Sequence, residues 1–531
     1  MSGRKEAPRT EPAHSILYEP EKLTPPAEVP DLDALLREVT PALKKPFNAR
    51  QVRAFETSFN QPVSLIWGPP GTGKTTVLAG IIVGALVHAE ATGTPVRICV
   101  GASNYNALDN VLRDAVALYE RYVEHKRKEW TARFVRVRSD HASVPLDGRL
   151  EDVPRSSAAG LELAQELGAP KTSLVVGGMW MQMGKLCERG NDEEKLTAPW
   201  FDLLIIDESS QVDVSSAAAY LLLLAQGARV VLAGDDRQLG PVYGFEMREH
   251  RDGLFDCIYS YMKLTHGLEP VVLNENYRNN DEIADWPRVR FYEDDLQAMF
   301  PKRRLDISVP KTEGKAPAGW NESLPWTEEY SRILSPDQPI IVITYGAGSY
   351  TLSNAFEAQT AAAIARLYHL ALEATGDVDE KDFWEQKLGI VSPHRAQIAS
   401  IRNKLIDAAG FKRQPAPIVD TVDRFQGLER DLIIASYTVA DPDFVGKEDA
   451  FILSPRRFNV TLTRARSKFI MLVSEAIVQH LPADMEVATD AAHIQLFVES
   501  YCSNVRKIQL PFVDEGGTVI PVVCSMRTPA L

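Results

Sequence analysis

Between Gly68 and Thr75 the chain reads Gly-Pro-Pro-Gly-Thr-Gly-Lys-Thr. Glycines at this spacing let backbone amides turn inward around a phosphate, and a helix starting at the lysine adds positive potential. Lys74 would reach the β- and γ-phosphates of a nucleotide, and Thr75 would ligate Mg²⁺. The run Gly68, Pro69, Pro70, Gly71, Thr72, Gly73, Lys74, Thr75 and Thr76 is therefore read as an ATP-binding loop. Farther along, DLLIIDESSQ (202–211) ends an apolar run on two adjacent acids. Asp207 would hold Mg²⁺ through water and Glu208 would polarise the attacking water. Alone, such a pair reads equally well as a solvated strand end. Behind a phosphate loop it reads as the hydrolytic pair.

Those residues need strands to end on. Apolar runs with the look of buried parallel strands are VSLIW (63–67), RICVGA (97–102), SLVVGG (173–178), DLLIID (202–207) and RVVLAGD (229–235), with helical stretches between most of them. That alternation predicts a doubly wound α/β domain. A second series follows: PIIVITY (339–345), LGIVSP (388–393), DLIIAS (431–436) and KFIMLV (468–473). It has no second phosphate loop, an asymmetry that suits one nucleotide shared by two α/β domains.

The expected organisation is a proline-rich extended arm over 1–46 with a short helix near Leu32–Glu38, and a first domain over 47–296 interrupted by a mostly helical insertion at about 115–172. An interdomain stretch over 297–338, a second domain over 339–475 and a tail over 476–531 with one helix near 491–505 complete it. The 531 residues exceed one ordinary core, consistent with that division.

Composition excludes more than it asserts. The net charge of −14 disfavours non-specific coating of duplex DNA, yet leaves a narrow channel with a few cations open. Five scattered cysteines give no local zinc or cluster spacing. The longest wholly apolar stretch, Ala217–Ala225, is too short to span a bilayer, and no secretory core precedes it; no membrane partner and an intracellular, cytoplasmic location are expected.

The motifs together resemble a superfamily 1 helicase of class B, the group of the nonsense-mediated-decay and Okazaki-processing helicases. The resemblance runs from about Phe47 to Val473 with the motifs in the family's order. It implies two tandem RecA-like P-loop domains and ATP hydrolysis at their interface, driving 5′→3′ movement on single-stranded DNA or RNA. In FNARQ (47–51), Gln51 would read the adenine edge. In GASNYNALDNVL (101–112), Ser103 and Asn104 would grip the strand backbone. In GDDRQLGPV (234–242), Gln238 would sense the γ-phosphate, with Asp236 and Gly240 standing where the family carries proline. In LNENYRNNDEIADWPRVRFYEDDL (273–296), Tyr277 would stack on adenine and Arg278 would meet the γ-phosphate. LGIVSPHRAQ (388–397) implies strand contacts at Pro393 and His394. VDTVDRFQGLERDLIIAS (419–436) implies Thr421 on the strand, Gly427 on phosphate and Glu429 on ribose. RRFNVTLTRARS (456–467) makes Arg464 the arginine finger. The family's DEAxQ reads DESSQ here, with both acids kept.

Two basic segments stay outside these motifs. Arg121, Lys126, Arg127, Lys128, Arg133, Arg136 and Arg138 interleave with Tyr122, Trp130 and Phe134, which reads either as a single-strand surface or as a solvated helix face. Lys302-Arg303-Arg304 reads as a solvated cluster. A nucleic-acid clamp switched by ATP, without unwinding, needs the same ATP site, so sequence leaves it beside the helicase reading. A small-molecule kinase is disfavoured by the second-domain motifs.

Overall fold

The computed structural model describes residues 11–26, 29–140, 148–189, 200–241, 256–293, 295–310, 314–376, 378–425 and 427–530. The chain forms two compact units, 1–274 and 275–531.

The first unit is built on a sheet of β1 (Val63–Trp67), β2 (Arg97–Ala102), β3 (Ala132–Arg138), β4 (Leu150–Pro154), β5 (Ser173–Gly178), β6 (Phe201–Asp207), β7 (Leu224–Gly234) and β8 (Val271–Val272). Their spatial order is β4-β3-β5-β2-β6-β7-β1-β8, and every pairing is parallel. Helices cover both faces, which is why β1, β2, β5 and β6 read as near-continuous apolar runs. The helix Lys74–Thr92 is long and apolar enough to cross a membrane by composition, but it lies mostly buried in this unit's core, with Val77, Leu78, Ile81, Ile82 and Val83 at 2% exposure or less.

Two expectations fail in this unit. The segment 115–172 is not mostly helical: after the helix Tyr105–Lys126 it adds β3 and β4 to the sheet edge. Its ARFVRVR run hides a strand because Arg136 occupies a buried position, donating to Asp109 at 2.7 Å and paired with Asp152 at 3.0 Å. The arm over 1–46 is not simply extended. The helix expected near Leu32–Glu38 forms as Leu32–Val39, capped by Asp31 accepting from the Ala34 amide, and a further helix, Glu11–Tyr18, forms where extended chain is expected. Ile16, Leu35, Val39 and Ala42 are buried in this unit's core. Each buried aliphatic side chain of Leu, Ile or Val size contributes about 1.5–3 kcal/mol, enough together to hold a proline-rich segment down.

The second unit opens with β9 (Glu275–Asn276), which pairs in parallel with β10 (Gln297–Ala298). Its main sheet comprises β11 (Ile340–Tyr345), β12 (Leu388–Val391), β13 (Val419–Asp420), β14 (Arg430–Ser436), β15 (Ala465–Ser474), β16 (Asn504–Val513) and β17 (Val519–Thr528). The order is β13-β12-β14-β15-β11-β17-β16. The first five strands run parallel; β17 pairs antiparallel with β11, and β16 with β17.

Three boundaries shift. The expected edge of the first domain at 296 moves back to 274/275, because Asn279 and Asn280 bolt the following segment to β15 and the chain just before it. Asn279 Nδ2 donates to the Thr463 carbonyl at 3.1 Å, and Asn280 Nδ2 to the Ser467 carbonyl at 2.9 Å. The stretch 297–338 is no free connector: Leu305, Leu324, Tyr330, Ile333 and Leu334 enter the second core. The helix expected near 491–505 starts earlier, as Met485–Leu496 continued by a π-helical turn over Phe497–Tyr501, and the tail's β16–β17 hairpin extends the sheet.

Candidate functional site

In a parallel sheet, loops after the strands gather at the carboxyl edge, where ligands bind. In the first unit β2, β6, β7 and β1 are consecutive neighbours, so the loops after Ala102, Asp207, Gly234 and Trp67 converge there.

The phosphate loop follows β1. Gly71 and Gly73 have φ of 74° and 78°, left-handed values that favour glycine. A Cβ on Gly73 would also stand 2.7 Å from Gln51 Nε2. Gln51 is itself part of the loop's support. Its Nε2 donates to the Thr72 carbonyl at 3.1 Å, and its Oε1 accepts from the Asn48 amide at 3.1 Å. Thr72 Oγ1 donates to the Pro69 carbonyl at 2.8 Å, while the Gly68 amide donates to the Gly234 carbonyl at 3.0 Å. Pro69 and Pro70 are buried, Thr75 is half-buried and Thr76 exposed.

Lys74 stands at the centre. Its Nζ donates to Glu208 Oε1 at 2.9 Å and lies 3.6 Å from Asp207 Oδ1. Burial alone would lower the Lys74 pKa; Glu208, Asp207 and the more distant Asp235 outweigh it and keep the ammonium charged. Burial lifts the Asp207 carboxyl to about 6, against the pull of Lys74 and helped by the neighbouring Glu208. A buried cation facing two carboxylates beside an amide-lined loop fits a polyphosphate with Mg²⁺. Phosphate oxygens can replace the carboxylates at Lys74, and Asp207 and Thr75 carry the oxygen donors that would hold Mg²⁺ together with phosphate and water.

Gln238 is buried and donates from Nε2 to Asp235 Oδ2 at 2.6 Å; Asp235 also accepts from Trp67 Nε1 at 3.2 Å. Asp236, which stands where the resembled family carries proline, accepts from Lys263 Nζ at 2.7 Å. Asp235 is a site residue that sequence reasoning misses; its position directly after β7 is the available signal. Val242 of this motif, like Asp294 and Gln426 of two later ones, lies outside the described residues.

Ser103 and Asn104 follow β2. Asn104 caps the helix Tyr105–Lys126 by accepting from the Ala107 amide, and Ser103 Oγ donates to Gln211 Oε1 at 3.1 Å.

Within the second unit, Arg278 Nε donates to Glu429, whose other oxygen lies 3.4 Å from Arg466 Nε. Burial would raise the Glu429 carboxyl, but Arg278 and Arg466, with Arg464, hold it below its usual value. In this conformation Glu429 serves the arginines, rather than standing free for a ribose. Arg464 is buried and donates from Nε to the Val460 carbonyl at 3.1 Å. Tyr277 is half-buried, its hydroxyl donating to Glu275 at 2.7 Å. Gly427 has φ of 84°, again a value suited to glycine.

β12 and β13 are paired in parallel, so Pro393, His394 and Thr421 follow adjacent strand ends. Thr421 and Pro393 are half-buried. His394 is buried, with Nε2 2.8 Å from Glu448, and does not face solvent as a strand contact would require.

The basic and aromatic run over 121–138 is largely engaged in contacts within the chain. Tyr122 and Phe134 are buried, Lys126 pairs with Glu38, Lys128 with Glu90, Arg133 with Glu151, and Arg138 with Asp152. Lys302-Arg303-Arg304 is likewise not wholly solvated: Arg303 donates to the Arg278 carbonyl at 2.5 Å and Arg304 pairs with Glu282.

Comparison with known proteins gives the same assignment. Two family models, each described as an AAA domain, match residues 46–248 and 254–476. The Regulator of nonsense transcripts 1 homolog of Arabidopsis thaliana is 26% identical, covering 88% of this chain and 35% of its own length. The ATP-dependent helicase NAM7 of Saccharomyces cerevisiae is 26% identical over 80% of this chain and 41% of its own. The DNA replication ATP-dependent helicase/nuclease dna2 of Schizosaccharomyces pombe is 24% identical over 83% and 29%. The chain thus spans well under half the length of these relatives. Motif order, parallel-sheet architecture and homology agree: both halves of the chain carry AAA domains, and the chain is homologous to superfamily 1 helicases of the nonsense-mediated-decay and Okazaki-processing group.

Proposed function

We propose that this chain is an ATP-dependent helicase that moves 5′→3′ along single-stranded DNA or RNA. The observation carrying this reading is the cluster of Lys74, Asp207 and Glu208 beside the glycine loop. Lys74 exchanges Glu208 for phosphate oxygens when ATP enters, which releases the Glu208 carboxylate to take a proton from the attacking water. Asp207 and Thr75 would hold Mg²⁺, and the cation would supply neutralising charge on the phosphate oxygens. Gln238 reports the γ-phosphate through the Asp235 loop. Arg464 and Arg278 stabilise charge that develops on the transferred phosphoryl group. Tyr277 and Gln51 hold the adenine, while Gly427 and Glu429 contact phosphate and ribose. Ser103, Asn104, Pro393 and Thr421 grip the strand; His394 joins them only after leaving Glu448.

Strand displacement on tailed duplexes tests the reading. ATP-dependent release is expected with a 5′ tail, not with a 3′ tail alone, and should vanish in Lys74→Ala. ATP-dependent strand retention without displacement would instead assign a switched clamp. Running the assay with DNA and RNA tails identifies the substrate.

A further inference from the structure

The short turn Ser209–Gln211 after the hydrolytic pair sends its side chains to different places. Ser209 Oγ donates to the Ala233 carbonyl at 2.9 Å, and Ser210 Oγ accepts from the Asp235 amide at 3.3 Å. Gln211 points back across the site. Its Nε2 donates to Glu208 Oε2 at 3.3 Å, and its Oε1 accepts from Ser103 Oγ at 3.1 Å. Ser103 Oγ in turn accepts from Asn104 Nδ2 at 3.1 Å. The donors therefore run in one sense, from Asn104 through Ser103 and Gln211 to the Glu208 carboxylate. Lys74 closes the path on the other carboxylate oxygen.

An amide is suited to the middle of such a path, because it carries an acceptor and a donor at opposite ends. Glu208 needs the help. Its φ of 49° puts a non-glycine residue in the left-handed region, a conformation that persists only when its surroundings hold it. Once Lys74 turns to phosphate, Gln211 remains as a side-chain hold on the carboxylate. At its other end, the Ser103 hydroxyl has a single proton to give: to Gln211 or to a strand phosphate.

We propose that Gln211 is a positioning residue that couples the orientation of Glu208 to strand occupancy at Ser103 and Asn104. This rests on reading Glu208 as the base and the segment after β2 as a strand contact. Strand binding diverts the Ser103 hydroxyl, and the freed Gln211 amide resets the carboxylate toward water. The path lies wholly inside the first unit, so it supplies a route from strand to hydrolysis besides domain closure.

The experiment is steady-state ATP hydrolysis with and without a saturating single-stranded oligonucleotide, in wild type, Gln211→Leu, Ser103→Ala and the double variant. Gln211→Leu should lose about tenfold in strand-saturated kcat, the scale of a lost hydrogen bond to a charged group. KM for ATP should stay within about twofold, as a purely orienting role requires. The double variant should be no worse than the poorer single one, the mark of residues acting in one chain. Gln211→Glu, nearly the same shape, keeps the acceptor for Ser103 but loses the donor to Glu208. It should match Gln211→Leu, and it guards against a folding defect. Full stimulation in either Gln211 variant, or losses that multiply in the double variant, overturns the proposal while the helicase reading stands. A wild type that single strands fail to stimulate overturns both.

Discussion

Lys74 and Glu208, 134 positions apart in sequence, meet at 2.9 Å across the mouth of the phosphate loop. The pair is an ammonium holding the carboxylate that we propose as the base for hydrolysis. Without phosphate, each charge satisfies the other. On the proposed mechanism, bound phosphate gives Lys74 a stronger anion to meet and releases Glu208, so that substrate entry arms the base.

Glu208→Gln separates those two roles. The amide can still accept from Lys74, and Asp207 remains 3.6 Å from the ammonium, so the loop should keep its shape and ATP affinity should change little. Turnover should fall at least about a hundredfold, because only proton transfer is lost. Nucleotide binding by fluorescence, paired with phosphate release, checks both. A variant that hydrolyses at the wild-type rate removes Glu208 from the mechanism.

If Arg464 acts as the proposed arginine finger, Arg464→Ala should lower strand-stimulated turnover by at least about a hundredfold. Nucleotide affinity should fall far less, since the charge it meets develops in the transition state. Arg464 also donates to the Val460 and Leu428 carbonyls, so Arg464→Lys, which keeps the charge without the planar fork, is the companion variant. Circular dichroism of both variants separates a lost finger from a loosened helix end.

Much of the first site is legible in the amino-acid sequence alone. Glycine spacing of this kind has few other uses, the acid pair gains its meaning from the phosphate loop upstream of it, and parallel strands bring their loops to one edge. The rest escapes for identifiable reasons. Arg136 sits in a strand yet is charged, and its partners Asp109 and Asp152 lie well outside that strand, so local pattern hides β3. The asparagines after Tyr277 act through backbone carbonyls of β15 and its approach, which no motif displays, so sequence places the domain edge too late. Gln211 is visible in its motif, but its partners are not. The hairpin β16–β17 pairs with a strand about 180 residues upstream, a long-range pairing that local periodicity does not reveal.

A buried acid in the second unit gives a pH signature. Glu357 accepts from Tyr345, Ser436 Oγ and the Thr438 amide, yet burial dominates and lifts its carboxyl from 4.5 to about 7. A raised carboxyl binds its proton more tightly when folded. Its stabilising contribution is complete below about 4.5 and is lost as pH rises through about 7. Between pH 5 and 8 the wild type should therefore lose stability relative to Glu357→Gln, by about 1–3 kcal/mol. Urea denaturation across that range measures the difference. Parallel pH profiles would show that Glu357 does not carry the proton.

The proposed function requires that strand binding and ATP hydrolysis be coupled in this one chain. Phosphate release from the wild-type protein, measured while single-stranded oligonucleotide is titrated in at fixed ATP, tests it most directly. The rate should climb and saturate with strand, and the climb should disappear in Lys74→Ala. A rate that single-stranded DNA and RNA both leave unchanged would mean that ATP hydrolysis in this chain is not driven by a strand.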